Sequence, residues 1–241
     1  MARLIQEGVR PILVIAAHPD DESLGCGGTI ARHSRQGHDV HLLILGEGAT
    51  SRRRHRTGGR GAAAREVKEL DKAVRKAAQV LGINEVHRRY FPDNRFDSLD
   101  LLEIVKTIEE VIERIGPGRV YTHSAGDLNL DHRIVHQAVL TACRPQNGCP
   151  VQTILAFEIP SSTEWQGPGS HTPFWPQIYM DIKETLPLKQ KALSCYPTEV
   201  RPYPHPRSPE SIEIIARRWG LNAGLEAAEP FMLIRDIVTS P

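Results

Sequence analysis

The sequence lacks an excess of either charge and lacks any long apolar run. Its 241 residues include 30 lysines and arginines against 29 aspartates and glutamates, so the formal net charge is +1. This balance excludes a global field that would attract nucleic acid or a membrane surface. No segment approaches the length that a membrane span needs, and residues 1–8 contain no apolar signal region. We therefore expect a cytoplasmic protein without nucleic-acid partners or a membrane span.

Cysteine is also scarce, and its spacing does not indicate a structural metal site. The four cysteines, Cys26, Cys143, Cys149 and Cys195, form no CxxC pair. Scattered cysteines in a chain of this length are typical of reduced thiols rather than of a disulfide framework. This pattern also favours the cytoplasm.

What the sequence has is a regular alternation of strand-like and helix-like segments. The predicted strands are residues 11–17, 40–45, 86–91, 119–122 and 154–159. The predicted helices between them are residues 24–35, 62–81, 99–115 and 132–143. Such alternation predicts an α/β fold with a Rossmann-like, mostly parallel sheet and helices on both faces.

Beyond residue 143 the alternation loosens into clusters of proline, serine, glycine and tryptophan. We predict a helix near residues 209–219 and a last strand near residues 231–238. The whole chain, 1–241, is expected to form one domain. Within it, residues 1–150 form the α/β core and residues 151–241 form a C-terminal cap region.

The first predicted strand ends abruptly in a histidine, a proline and three acids, residues 18–22. Ligands bind beyond the carboxyl ends of the strands in open α/β sheets. Histidine and aspartate are good zinc ligands, and catalytic zinc sites use three protein ligands and a water. His18 and Asp21 can chelate from one turn, because the intervening proline restrains the backbone. Asp20 is then free to act as a general base on water. Glu22 is expected to support these residues without contacting the metal itself.

Two other interpretations of this motif are less favoured. The acids could simply cap the next helix, but three acids beside a histidine exceed what capping needs. The glycine-rich residues 25–28 allow close backbone approach where that helix begins. They match the dinucleotide fingerprint GxGxxG poorly, and the preceding acids would repel a pyrophosphate. We do not expect a nucleotide-dependent oxidoreductase.

A third ligand is expected at the end of the fourth predicted strand. His132 opens the helix that follows residues 127–131, where polar and apolar residues alternate. Strand ends of one parallel sheet lie at the same edge, so His18, Asp21 and His132 can converge. Asp131 or Asp127 would orient a ligand histidine by a hydrogen bond.

A rival arrangement pairs His132 with His136 on one helical face, as in helical zinc motifs. The glutamate that serves as base in those motifs is missing, because Arg133 follows His132. We therefore expect His136 to support or pack against the site. His123, on the strand itself, is expected to be buried with its hydrogen bonds satisfied.

Both segments resemble the LmbE-like, or PIG-L, family of zinc-dependent N-deacetylases. The signatures are Ala17-His18-Pro19-Asp20-Asp21-Glu22 and Asp127-Leu128-Asn129-Leu130-Asp131-His132. Further similarity runs through residues 50–52, 161–165, 191–193, 204–208 and 228–231, and so covers nearly the whole chain. The family includes de-N-acetylases of N-acetylglucosaminyl-phosphatidylinositol and of the bacterial thiols mycothiol and bacillithiol.

The resemblance implies zinc ligands at His18, Asp21 and His132 and a general base at Asp20. One position departs from the family. Where some members have a histidine that stabilises the oxyanion, this chain has Asn129, which carries no charge. Losing one such donor typically costs about 10²–10³ in rate, so another group should compensate.

His205 is our candidate for that group, since residues 204–208 resemble a family motif; a rigid surface turn set by the flanking prolines is the alternative. Because members of the family form oligomers, His205 could act in the site of a neighbouring chain. Arg52 is expected to contact substrate, Trp165 to stack on a sugar ring, and Arg207 and Glu158 to line the pocket. The other arginines of residues 52–60 are expected to be solvated.

The resemblance implies a zinc hydrolase that removes the acetyl group from an N-acetylated amino sugar or sugar conjugate. A His-Asp-His set also accommodates other divalent metals. Two alternatives stay open: an amidohydrolase acting on a non-sugar N-acyl metabolite, and a non-catalytic metal- or sugar-binding protein of the same fold. An intact Asp20 argues against the second alternative, because metal binding alone does not need that carboxylate.

Overall fold

The computed structural model describes residues 10–49, 60–146, 148–167 and 172–238. Within them, seven strands form one sheet in the order β3-β2-β1-β4-β5-β7-β6. The strands are β1 Ile12–Ala16, β2 Val40–Gly46, β3 Glu85–Phe91, β4 Arg119–His123, β5 Thr153–Phe157, β6 Ile178–Asp181 and β7 Ala228–Asp236. Strands β1 to β5 run parallel, and β7 pairs antiparallel with both β5 and β6.

Six α-helices in the described part of the chain cover the two faces of this sheet. They are α1 Asp21–Arg35, α2 Arg60–Leu81, α3 Leu101–Ile115, α4 Leu130–Ala142, α5 Leu186–Leu193 and α6 Pro209–Leu221. Residues of α1, α2, α5 and α6 pack in one apolar core, and residues of α3 and α4 pack in the other. Among the described helices, none has the length and apolar character that crossing a bilayer requires.

The architecture confirms the predicted mostly parallel α/β fold, with bounds that shift by a few residues. Strand β1 is fully buried because β2 and β4 flank it and helices cover both faces. A strand in that position must be apolar throughout, which is why its sequence predicted it clearly.

The C-terminal part also adds strands to the sheet, which the sequence indicated only in part. Strand β6 has four residues, and α5 has eight, so neither gives a long periodic signal. Strand β7 begins at Ala228 rather than near residue 231 and contains Pro230. Proline lacks the amide that a strand ladder uses, and it obscured the start of this strand.

The carboxyl ends of β1, β4 and β5 lie at one edge of the sheet. The loop after β1 carries the first motif, and the loop after β4 carries the second. Because the strands pair directly, the two motifs become neighbours despite a separation of more than 100 residues.

Candidate active site

Three side chains of the two motifs meet at this edge, and we call His18, Asp21 and His132 the carboxyl-edge cluster. His18 Nδ1 lies 3.3 Å from His132 Nε2 and 3.4 Å from Asp21 Oδ2. The third separation, between His132 Nε2 and Asp21 Oδ2, is also 3.4 Å. All three residues are at most 9 % exposed. Three donor atoms from two segments therefore form a nearly equilateral triangle.

The donor triangle has the dimensions of a tetrahedral metal site. Zinc binds histidine nitrogen and carboxylate oxygen at about 2.0–2.2 Å, which places neighbouring ligands about 3.4 Å apart. Two imidazoles and one carboxylate leave one tetrahedral position open, as in catalytic zinc sites. The residues present thus fit a divalent metal ion of this kind.

The other ring nitrogen of each histidine faces a carboxylate. His18 Nε2 lies 3.0 Å from Asp131 Oδ2 and 3.1 Å from Asp93 Oδ1. His132 Nδ1 lies 3.1 Å from Asp127 Oδ1. Carboxylates in this position fix the ring orientation and the tautomer of metal-binding histidines. Asp131 and Asp127, between which the sequence could not choose, serve different rings.

The surrounding acids make the carboxyl-edge cluster favourable for positive charge. Burial lowers the pKa of His18, but hydrogen bonds to Asp131 and Asp21 outweigh it and raise the pKa to about 10. Burial likewise opposes the charge on His132, yet Asp21 and Asp127 raise its pKa to about 9. Without a metal ion, protons on these rings balance the carboxylates. A divalent cation can provide that balance instead.

Asp20 pairs with Arg207. Asp20 Oδ2 accepts a hydrogen bond from Arg207 Nη1 at 2.9 Å, while Arg207 Nε donates to Ser161 Oγ at 2.7 Å. Glu199 lies 3.5 Å from the same guanidinium. The Asp20 side chain makes no capping hydrogen bond to α1, contrary to the capping interpretation.

The backbone and the charge state of Asp20 are both unusual. Its φ of 101° lies in the left-handed region, which a non-glycine residue adopts at a cost. Burial raises the pKa of its carboxyl; Arg207 lowers it, and Asp21, Glu199 and Glu22 raise it, with a net result well above the usual value. A buried carboxyl with a raised pKa can both accept and return a proton.

Glu22 lies behind this turn, as the sequence predicts. It is fully buried and accepts hydrogen bonds from Tyr196 Oη at 2.8 Å and Ser23 Oγ at 2.7 Å. The Asp20 amide also donates to Glu22, at 3.2 Å. Glu22 therefore connects the strained turn to the segment after α5.

Asn129 caps helix α4 and also contacts Asn94. Its Oδ1 accepts from the Asp131 amide at 2.8 Å, and its Nδ2 donates to Asn94 Oδ1 at 3.1 Å. The Nδ2 group carries two hydrogens, so one N–H remains beyond the bond to Asn94. Capping and loop attachment therefore do not exclude the predicted substrate contact of Asn129.

His205 and Trp165 lie next to each other, with Arg207 between them and Asp20. Their rings meet edge to face, with centroids 5.8 Å apart, and Trp165 is 52 % exposed. His205 Nδ1 accepts from the Arg207 amide at 3.1 Å, so its neutral form carries the ring proton on Nε2. Among the described contacts, none joins His205 to the triangle. Arg52 lies outside the described residues.

His123 packs against His132, and His136 bonds to the backbone of His123. His123 is fully buried, stacks on His132 with a centroid distance of 4.0 Å, and accepts from the Ala17 amide through Nε2 at 2.9 Å. Its Nδ1 has no hydrogen-bond partner in the described part of the chain, so it is only partly satisfied. His136 Nδ1 donates to the His123 carbonyl at 2.8 Å.

Glu158 follows β5 and bonds to helix α6 rather than to the cluster. Its Oε1 accepts from Trp219 Nε1 at 2.6 Å. Burial raises the pKa of Glu158 to about 7, although the hydrogen bond from Trp219 opposes the shift.

Sequence reasoning missed Asp93, Glu199 and Ser161. Asp93 follows the predicted strand that ends at residue 91, so the rule that identified the first motif would also have found it. Glu199 and Ser161 come from irregular segments with no periodic signal. Only the position of Arg207 reveals their connection to Asp20.

A second group, which we call the β2–β3 cluster, consists of His41, Glu85 and His87. His41 Nδ1 lies 3.3 Å from His87 Nε2 and 3.7 Å from Glu85 Oε2. Arg114 Nη2 lies 2.5 Å from His87 Nδ1, and Asp39 Oδ2 lies 3.0 Å from His41 Nε2. This group is another set of side chains of the kind that binds metals.

The comparisons with known proteins agree with these motifs. The model of the PIG-L family, described as GlcNAc-PI de-N-acetylase, matches residues 13–143. The uncharacterized deacetylase YaiS of Escherichia coli is 31% identical over 178 residues, which are 72% of this chain and 82% of that protein. The diacetylchitobiose deacetylase of Thermococcus kodakarensis is 27% identical over 198 residues, 79% of this chain and 70% of that one.

Solved structures share the fold. N,N'-diacetylchitobiose deacetylase from Pyrococcus horikoshii superposes with a TM-score of 0.73 at 18% identity, covering 97% of this chain and 89% of that one. The hydratase GalB of Pseudomonas putida superposes with a TM-score of 0.71 at 21% identity, covering 97% and 99%. Because the same fold also carries a hydratase, the fold alone does not determine the reaction.

Proposed function

Because this chain belongs to the PIG-L family, we propose that it is a zinc-dependent hydrolase that deacetylates an N-acetylated amino sugar or sugar conjugate. Its deacetylase relatives make the chain a hydrolytic N-deacetylase. The proposal concerns the metal, the substrate and the residues that act. The substrate class rests on relatives that are named for N-acetylglucosamine compounds.

One observation carries the proposal. The atoms Nδ1 of His18, Oδ2 of Asp21 and Nε2 of His132 form a triangle with sides of 3.3–3.4 Å, and the neighbouring residue in the chain, Asp20, is a carboxylate that pairs with Arg207. A binding protein would need only the triangle. A hydrolase also needs a base that is not a ligand, and we assign that role to Asp20.

Each residue of the site has a part in the proposed mechanism. His18, Asp21 and His132 would hold the zinc ion, which supplies Lewis-acid polarisation of the amide carbonyl and a more acidic water. Asp20 takes the proton from the water that attacks the carbonyl carbon. It then returns this proton to the nitrogen as the carbon–nitrogen bond breaks. The products are acetate and a free amine.

We propose that a group other than Asn129 contributes to oxyanion stabilisation, because the Asn129 amide carries no charge and has one N–H beyond its bond to Asn94. We retain His205 as the proposed donor, within this chain or toward a neighbouring one in a homo-oligomer. Arg207 supports the same site, because its guanidinium is the cation that pairs with Asp20. Trp165 and Arg52 are proposed substrate contacts.

The four unpaired cysteines support the proposed cytoplasmic location.

The test is release of acetate from a panel of N-acetylated compounds by the zinc-loaded protein, with and without chelator. The panel contains free sugars, glycosides, nucleotide sugars and N-acyl amino acids. We expect release from at least one amino-sugar compound, loss with chelator and recovery with zinc. Turnover of N-acyl amino acids alone would contradict the sugar substrate and favour an amidohydrolase that acts on a non-sugar N-acyl metabolite. No release from any compound would refute the proposal.

A further inference from the structure

Helix α1, which follows the first motif, is broken at Cys26. The residue has φ −146° and ψ 24°, so the helix consists of a short first segment and a longer second one. The first segment begins at Asp21 and follows directly on Asp20. A break in a helix leaves backbone amides and carbonyls without their usual partners, and these groups must be satisfied from elsewhere.

Two buried charged side chains satisfy the groups at this break. Lys189 Nζ, from α5, donates to the carbonyl of Leu24 at 2.7 Å. The Glu229 carboxylate, from β7, accepts from the amides of Gly28 at 2.9 Å and Thr29 at 2.6 Å. Lys189 and Glu229 also bond to each other at 2.5 Å. Glu229 therefore caps the second segment, while Lys189 holds the end of the first.

The glycines around Cys26 make room for this arrangement. A Cβ atom on Gly25 would lie 2.4 Å from Phe157 Cδ2, and one on Gly28 would lie 2.8 Å from Ile182 Cγ2. One on Gly27 would lie 3.3 Å from Lys189 Cγ. The sequence predicted that the glycine-rich run allows close backbone approach. The groups that come close are side chains of other protein segments, which pack against the break in α1.

The pair is more deeply buried than stability alone would favour. Lys189 is 5 % exposed and Glu229 is 2 % exposed. Removing two charges from water costs free energy that their attraction does not reliably recover, so an apolar replacement is often neutral or stabilising. A role other than stability would explain such a pair, and its contacts indicate one. They hold the backbone on both sides of the break and so fix the orientation of the first segment of α1 relative to the second.

We propose that the Lys189–Glu229 ion pair is a positioning device that orients the first segment of α1 and thereby aligns Asp20 and Asp21 with His132. The proposal rests on the function proposed above for Asp20 and Asp21. Neither Lys189 nor Glu229 touches the triangle, so both act through the backbone of α1. Small misplacements of catalytic groups can cost about 10²-fold in rate.

The test is the double variant Lys189→Met with Glu229→Gln, which removes both charges together and leaves no unpaired charge buried. The control is Lys183→Met with Glu226→Gln, an exposed lysine–glutamate pair with the same 2.5 Å separation. Zinc affinity by competition titration, kcat, KM and the melting temperature are measured for each. Glu229→Gln alone is measured as well, because it keeps an acceptor for one amide if the double variant does not fold.

We expect a folded double variant whose zinc affinity and kcat each fall about 10–100-fold, with KM changed little, while the control matches the parent chain. A folded variant with the zinc affinity and kcat of the parent would overturn the proposal, even if its melting temperature falls. The two proposals fail separately. If the parent releases no acetate but the double variant loses zinc affinity, the function is wrong and the positioning role stands.

Discussion

The carboxyl-edge cluster and the β2–β3 cluster contain the same kinds of residue but differ in what surrounds them. At the carboxyl edge, the outer nitrogens of both histidines face carboxylates. In the β2–β3 cluster, the outer nitrogen of His87 lies 2.5 Å from Arg114 Nη2 as well as 3.3 Å from Glu85 Oε1. The pKa of His18 and of His132 is raised, whereas burial and Arg114 lower the pKa of His87 despite Glu85. The surroundings of the first cluster thus favour positive charge on both rings, and those of the second do not favour it on His87.

The hydrogen bonds of the β2–β3 cluster form a chain through its two rings. Arg114 can only donate, so His87 Nδ1 accepts and its proton lies on Nε2. That proton can be donated to His41 Nδ1, and His41 Nε2 then donates to Asp39. The ring planes differ by 5° and the centroids are 5.5 Å apart, further than the facing nitrogens, so the rings meet through their nitrogens. Because Arg114 takes the lone pair of His87 Nδ1, the Nε2 that faces His41 carries a proton instead of a lone pair for a metal ion.

The largest effect should come from matched substitutions in the two clusters. His132→Gln removes a proposed metal ligand, and we expect turnover to fall on the order of 10³-fold or more with loss of bound zinc. His87→Gln keeps an acceptor for Arg114 and a donor for His41, and turnover should stay within about twofold. Acetate release and zinc content per chain measure both. Similar losses in the two variants would contradict the distinction between the clusters.

The next largest effect should come from Asp20, and it separates loss of proton transfer from loss of metal binding. Asp20→Asn should lower kcat about 10²–10⁴-fold while the zinc content stays at the parent value. The matched control is Asp39→Asn, which alters an acid beside the β2–β3 cluster and should leave kcat unchanged. If Asp20→Asn instead loses zinc and activity together, Asp20 is a ligand rather than a base.

A smaller effect should come from the carboxylates behind the histidines. Asp127→Asn and Asp131→Asn keep the size of the side chain but remove its charge. We expect each to weaken zinc binding about 10–100-fold. Competition titration with a chelator of known affinity measures this loss. Unchanged affinity in both variants would show that these acids serve only the fold.

The smallest effect concerns Glu158, which belongs to neither cluster. Its folded-state pKa of about 7 lies above its ordinary value of 4.5, so folding favours the protonated carboxyl. This contribution to stability is full below about pH 4.5 and is lost as the pH rises through 7. Glu158→Gln should therefore gain melting temperature relative to the parent between pH 5 and pH 8.5. A constant difference across that range would contradict the raised pKa.

The comparison also explains how much the sequence could predict. The carboxyl ends of β1 and β4 could be placed, because fully buried strands give long apolar runs and parallel strands end at one edge. His18, Asp21, His132 and Asp20 followed from that placement. The β2–β3 cluster could not be recognised, because it depends on the register of His41 against Glu85.

Other features depend on distant segments and left no local signal. Arg207 reaches Asp20 from 187 residues away, and Glu229 reaches Gly28 from 201 residues away. The sequence assigned Arg207 to substrate and the glycines to a close approach. Only the folded chain shows that Arg207 pairs with the proposed base and that the glycines accommodate a broken helix.

The most direct test of the account is the position of zinc in a crystal of the zinc-loaded protein, located by anomalous scattering at the zinc absorption edge. The account predicts one strong peak per chain within bonding distance of His18 Nδ1, Asp21 Oδ2 and His132 Nε2. It predicts no peak between His41 and His87. Zinc in the β2–β3 cluster with none at the carboxyl edge would contradict it.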